Sequence, residues 1–226
     1  MTKKTLAVLS IAILSLVFCF SLSAEGSDPL DINMVNAFDR LTMKSYCRGL
    51  DTAGDILSLT AMATPAVLLN LDSEQRHIVG IMYAETLALS LGASTLLKNT
   101  VGRNRPYLYF EGYPQDEVDS GDSAKSFPSR HSIFAFASAT FTSYVFCKYY
   151  PDSEWKGPVI ALSYTLAAAT ATLRVMSGNH FATDVIAGAL IGSAIGYAVP
   201  ALHALLSDNE MGTKTVPFAL AFSIVL

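Results

Sequence analysis

Five apolar runs dominate this chain: Ile56 to Leu71, Ile78 to Leu97, Ser132 to Cys147, Gly157 to Leu173 and Val185 to Leu206. Their many Ala, Leu and Met residues favour helix over strand. A helix that crosses a bilayer needs about 20 apolar residues, within a range of roughly 17 to 25. The second and fifth runs meet that length, and the other three sit at or just below it. Any one of them could be a core helix of a soluble domain. Five in series, joined by short polar connections such as DSEQRH and KYYPDSEWK, favour insertion. The expected fold is therefore all-α, a multi-helix bundle embedded in a membrane, with about five spanning helices. Pro65 and Pro200 are expected to kink their helices, which membrane bundles tolerate. Glu85 lies inside the second run, where an acid is costly unless paired or turned inward, and it is read as a structural hydrogen-bonding group.

Composition narrows the function classes. Only 15% of the 226 residues are charged, well below the roughly 25% of a soluble domain. Disorder and coiled coil are excluded as the main state. Lys+Arg 15 against Asp+Glu 19 gives a net charge of −4, which argues against a nucleic-acid partner. The chain opens with the shape of an export signal: Lys3 and Lys4, then an apolar stretch from Leu6 to Leu22, with Ser21 and Ser23 before a possible cut. Residues 1–24 are expected to be a signal peptide or an uncleaved anchor, followed by one helical domain over 25–226. Cleavage would remove two lysines and no acid, taking the net charge from −4 to −6. Residues 30–47 read as an amphipathic helix with Met34, Val35, Phe38, Leu41 and Tyr46 near one face, resting on a membrane or capping the bundle. Cys47 and Cys147 read as small apolar fillers. No Cys/His cluster has zinc spacing, so no metal site of that kind is expected.

The residues suited to chemistry gather at the ends of the runs. Lys98 and Arg105 follow the second run in KNTVGRNRP, and Ser129 and His131 open the third in FPSRHS. Arg174 closes the fourth, and His180 and Asp184 open the fifth, in RVMSGNHFATD. Up-and-down threading puts all of these ends on one face. Three fixed cations, two histidines and one carboxylate at an apolar mouth form an oxyanion site, and phosphate suits the arginine fork. Pro128-Ser129 reads as a helix N-cap that aims backbone N–H groups at an anion. His180 and Asp184, four apart, would share a helix face, so that the carboxylate holds one imidazole nitrogen and leaves the other to attack.

Three spaced blocks make the pattern specific. Lys98, Arg105 and Pro106 complete Lys-x6-Arg-Pro. Pro128, Ser129, Arg130 and His131 form the second block, and Leu173, Arg174, His180 and Asp184 the third. The set resembles the type 2 phosphatidic acid phosphatase superfamily, which includes bacterial acid phosphatases and vanadium-dependent haloperoxidases. Arg130 stands where that family usually has glycine, and Leu173 where it has serine. The resemblance implies that His180 is a nucleophile forming a phosphohistidine, oriented by Asp184. It implies that His131 protonates the leaving alkoxide and then activates water. Lys98, Arg105, Ser129, Arg130 and Arg174 are implied to hold the phosphoryl group, with no metal or other cofactor.

Near-spanning helices favour the membrane lipid phosphatase branch. The implied substrate is a phosphomonoester or diphosphate of a lipid, such as phosphatidylglycerophosphate, phosphatidic acid, a polyprenyl phosphate or lipid A. The acidic loop 112–122 is expected to lie over the site and select among head groups. The export signal places the site on the periplasmic or exterior face of a bacterial-type inner membrane. The distribution of Arg76, Lys148, Lys156 and Lys214 does not support that orientation cleanly. Three other readings stay open: a soluble periplasmic acid phosphatase, a vanadate-holding haloperoxidase, and a non-enzymatic protein on the same scaffold. The apolar tail 215–226 and the oligomeric state receive no functional reading.

Overall fold

Every regular element is helical in the computed structural model, which describes residues 29–113 and 115–209. The signal-shaped segment 1–24 and the tail 215–226 lie outside the described residues. The helices are α1 (Ala37–Thr42), α2 (Arg48–Met62), α3 (Ser73–Val101), α4 (Gln115–Asp119), α5 (Arg130–Tyr149), α6 (Lys156–Met176) and α7 (Ala182–Asn209). Short 3-10 turns cover Ile32–Met34, Thr64–Leu68 and Pro106–Tyr109. Local chemistry sets several boundaries. The Asp72 side chain accepts from Gln75 N–H to start α3, and Ser129 does the same for Ser132 N–H at α5. Gly102, at φ 61°, ends α3 in the left-handed conformation that glycine adopts most readily.

The bundle is built around α5, which packs against α7, α6, α2 and α3. Its contact with α7 is the closest. Gly188, Gly192 and Gly196 recur every four residues on α7 and lie against the α5 backbone. A Cβ at Gly188 would sit 2.8 Å from the Ser129 carbonyl, and one at Gly192 or Gly196 would run into the carbonyl of Ile133 or Ala137. These small residues let two backbones approach, as in membrane helix pairs. The approach also fixes the start of α5 beside the start of α7.

Burial around the long helices runs opposite to that of a water-soluble bundle. Thr86, Ser90 and Ser94 of α3 and Ser163 and Thr170 of α6 are buried, whereas Leu89, Leu91, Leu96, Leu162, Leu190 and Leu202 are exposed. Helices α3, α6 and α7, which carry the second, fourth and fifth apolar runs, are long and apolar enough to cross a bilayer. Small polar groups inside and leucines outside suit a bundle whose solvent is lipid. The chain is therefore an all-helical membrane protein. Glu85 is paired as expected: its carboxylate lies 2.7 Å from His203 Nε2, linking α3 to α7.

Three local expectations need correction. Residues 30–47 do not form one amphipathic helix. The segment divides into the Ile32–Met34 turn and the short α1, then runs without regular structure to Cys47. Met34, Phe38 and Leu41 are exposed, while Asp39, which is not on that apolar face, is fully buried. Pro65 does not kink a helix, because α2 ends at Met62 and Pro65 opens the following 3-10 turn. Cys47 and Cys147 are exposed and unpaired rather than core fillers. The N-terminal segment instead works as a strap across the end of the bundle. Cys47 N–H donates to the Ser177 carbonyl at 3.0 Å. Gly178 passes so near that a Cβ there would stand 2.6 Å from the carbonyls of Lys44 and Ser45.

Candidate active site

The end of α3, the start of α5, the end of α6 and the start of α7 meet at one end of the bundle. Lys98 lies in the last turn of α3, and Arg105 precedes the Pro106–Tyr109 turn. Ser129 caps α5 and His131 is in its first turn. Arg174 lies in the last turn of α6, and Asp184 in the first turn of α7. Backbone and side-chain hydrogen bonds join the three sequence blocks. Ser129 N–H donates to the Asp184 carbonyl, and His180 N–H to the Arg174 carbonyl, both at 3.1 Å. One Arg105 amino group donates to Asn179 Oδ1 at 2.7 Å. Alternating helices thus do bring Lys98, Arg105, Ser129, His131, Arg174, His180 and Asp184 together.

His180 is at the centre of this group, 2% exposed. It precedes α7 rather than sharing a helical face with Asp184. Its Nδ1 lies 3.7 Å from Asp184 Oδ2 and has no hydrogen-bond partner. That distance is too long for a hydrogen bond, although catalytic contacts often tighten only around substrate. Burial, together with the positive charges of Arg105, Lys98, Arg174 and His131, holds the His180 pKa well below that of an ordinary histidine. Both effects favour the neutral imidazole, the form able to use a nitrogen lone pair. With Nδ1 toward Asp184, Nε2 is the nitrogen left for a substrate.

The cations around His180 are held by acids that the three blocks do not contain. An Arg174 amino group lies 2.5 Å from Asp51 Oδ1 and 2.8 Å from Asp55 Oδ1. Asn179 donates to the same Asp51 oxygen at 2.9 Å. Arg105 pairs with Asp122, and Lys98 donates to the Lys125 carbonyl. His131 Nε2 is 3.1 Å from Asp55 Oδ1. The His131 hydrogen bond and the Arg174 charge outweigh partial burial and hold the Asp55 carboxyl below its ordinary range. Arg174 Nε is buried without a partner, a donor left over for a ligand. Arg130 turns along α3 instead, with Nε 3.3 Å from Ser94 Oγ, one turn before Lys98. What it can offer at the mouth is its backbone N–H, in the first turn of α5 where helix N–H groups lack intrahelical acceptors.

Asp184 is the most tightly held member. Its Oδ2 accepts from Ser126 Oγ at 2.6 Å and from Phe181 N–H at 2.8 Å. Its Oδ1 accepts from Arg103. Arg103, Ser126 and Asn179 are site residues missing from the sequence reading, as are Asp39, Asp51, Asp55 and Asp122. Arg103 stood within the first block, beside Gly102 and Asn104, and Asn179 stood next to His180. Asp122 stood at the end of the acidic loop 112–122, and nothing in the sequence marked Asp39, Asp51 or Asp55.

Comparison with known proteins gives the family. The PAP2 superfamily matches residues 80–207, more than half of the chain, and the protein belongs to that family. A probable diacylglycerol pyrophosphate phosphatase 1 of Schizosaccharomyces pombe is 31% identical over 148 residues, covering 55% of this chain and 52% of that one. The lipid A 1-phosphatase of Porphyromonas gingivalis is 32% identical over 110 residues, 49% of this chain and 20% of its own. A PA-phosphatase related-family protein of Dictyostelium discoideum is 26% identical over 156 residues, 64% of this chain and 58% of its own. The chain thus spans about half the length of most of these relatives. Among solved structures, a transmembrane PAP2 type phosphatidylglycerolphosphate phosphatase from Bacillus subtilis is similar at TM-score 0.48 and 19% identity. That match covers 92% of this chain and 98% of the other.

Proposed function

We propose that this protein is a lipid phosphatase that works through a phosphohistidine on His180 and needs no metal. The observation that carries the reading is a buried imidazole, His180, surrounded by Lys98, Arg105, Arg174 and His131. The names of the curated relatives support the substrate class, since they act on diacylglycerol pyrophosphate or lipid A. The exposed leucines of α3, α6 and α7 support delivery of that substrate from a bilayer.

The reaction has two displacements. In the first, His180 Nε2 attacks phosphorus and forms a P–N bond. The P–O bond to the lipid alkoxide breaks, and the departing oxygen takes a proton from His131, whose protonated form the Asp55 hydrogen bond favours against burial and the Arg174 charge. Lys98, Arg105, Arg174 and the first-turn N–H groups of α5 stabilise the charge on the equatorial oxygens. Asp184 stabilises the positive charge that develops on His180. In the second, His131 takes a proton from water, the hydroxide attacks phosphorus, the P–N bond breaks and inorganic phosphate leaves. The fixed cations supply the charge stabilisation that a divalent ion supplies elsewhere.

Phosphate release by the purified protein in detergent tests this reading. Lipid phosphates should be hydrolysed faster than water-soluble esters, and EDTA should leave the rate unchanged. Strong loss with EDTA would contradict the metal-free route, and preference for soluble esters would favour a broad-specificity acid phosphatase. We further propose a bacterial-type inner membrane with the site facing the periplasm or exterior, supported by the signal-shaped N-terminus. Two exposed cysteines read the orientation. Cys47 adjoins Ser177 at the site end. Cys147 lies in the last turn of α5, about 25 Å from the site by helical rise. In single-cysteine versions, an impermeant thiol reagent should label Cys47 and spare Cys147 in intact cells. The reverse labelling would place the site inside.

A further inference from the structure

Asp39 is 0% exposed, yet Asn36, Phe38 and Arg40 around it are exposed. A carboxylate is buried so completely only when its lone pairs are satisfied, and here four donors satisfy them. Thr183 gives its N–H at 3.0 Å and its hydroxyl at 2.7 Å. Asn36 Nδ2 donates at 2.7 Å and Arg103 at 2.7 Å. Burial works against the charge, but Arg103, Thr183 and Asn36 outweigh it and hold the Asp39 pKa below that of an ordinary aspartate.

The other Arg103 amino group donates to Thr183 Oγ at 2.7 Å and to Asp184 Oδ1. Its guanidinium carbon lies 4.0 Å above the Phe181 ring. One cation is thus shared by two fully buried carboxylates, and one of these lies 3.7 Å from His180 Nδ1. Asp39 also caps α7 from outside, because Thr183 N–H belongs to the first turn of that helix.

We propose that Asp39 is a positioning residue for the phosphoryl-transfer site, acting on His180 through Arg103 and Asp184. The N-terminal strap is then part of the catalytic machinery, although it lies outside the region that matches the family, residues 80–207. The reason is electrostatic. Asp39 takes up part of the Arg103 charge and leaves Asp184 able to stabilise the cation that forms when His180 bonds to phosphorus. Without the Asp39 charge, Arg103 acts undivided on Asp184, and that stabilisation falls. Substrate binding depends on Lys98, Arg105 and Arg174, none of which Asp39 touches, so the loss appears in kcat and not in KM.

This inference rests on the phosphohistidine reading, and the test separates the two. Full-length Asp39→Asn in detergent, assayed with dioctanoyl phosphatidic acid, should lose about tenfold in kcat, typical for an outer partner of a reactive histidine. KM should stay within about twofold, as expected when only transition-state stabilisation is lost. If Asp39→Asn does not fold, Asn36→Ala removes, from an exposed position, one hydrogen bond to the Asp39 carboxylate together with the cap that accepts Asp39 N–H. It should lower kcat about two- to threefold at constant KM, the size of effect expected for one weakened hydrogen bond. An inert His180→Ala together with unchanged kcat in a folded Asp39→Asn, or in Asn36→Ala, overturns this inference alone. Activity that falls only in proportion to the unfolded fraction also overturns it. Full activity in His180→Ala overturns the site reading and this inference with it.

Discussion

Two sets of aspartates pair with different cations of one site, and the protein holds them in opposite ways. Asp39 and Asp184 have no exposed side-chain surface and are tied to Arg103, Thr183, Ser126 and backbone N–H groups. Asp51, Asp55 and Asp122 keep 16%, 52% and 42% of their side-chain surface exposed and rest on Arg174, His131 and Arg105. A buried ion pair with one partner removed leaves a charge stranded in low dielectric, and that is severely destabilising. A partly exposed pair is screened and easily exchanged. The inner set is therefore fixed by burial, whereas the mouth set pairs with its cations where solvent reaches.

The comparison can be broken most forcefully at Asp184. Asp184→Asn should lower kcat by about 10³- to 10⁴-fold, as in other enzymes where a carboxylate orients a reactive histidine. The check is single-turnover phosphate release by a variant with wild-type helix content. A loss below tenfold would move Asp184 to a purely structural role. The contrast with the mouth set is sharpened at Asp122. Asp122→Asn frees Arg105 for substrate, so KM for a lipid phosphate should fall about two- to fivefold with kcat unchanged, the scale of a partly exposed ion pair. A rise in KM would show that the acid helps to bind the head group instead of standing in for phosphate.

The sequence made the convergence of the helix ends and Asp184 legible and hid the partners in both sets. Helix composition and the alternation of runs were enough to bring the ends of α3, α5, α6 and α7 together, because up-and-down threading leaves little choice. Ser129 was readable as a cap because the rule is local. Asp184 was readable because it falls in a spaced block. Its partners in the inner network were not. Asp39 meets Thr183 across 144 positions, and Arg174 meets Asp51 across 123; no periodicity encodes such pairs. Asp39 also misled directly, since an acid among Met34, Val35, Phe38 and Leu41 looks like the polar side of an amphipathic helix. The hydrogen bonds of Arg103 and Thr183 draw it inward, and Met34, Phe38 and Leu41 are left facing out.

The account's central claim is the covalent intermediate on His180, and trapping tests it most directly. The protein, supplied with lipid substrate labelled in its phosphate and quenched within the first turnovers, should carry label that is stable in base and lost in mild acid, as a P–N bond requires. His180→Ala should carry none and release no phosphate. Acid-stable label on the wild type, or label and turnover retained in His180→Ala, would contradict the claim.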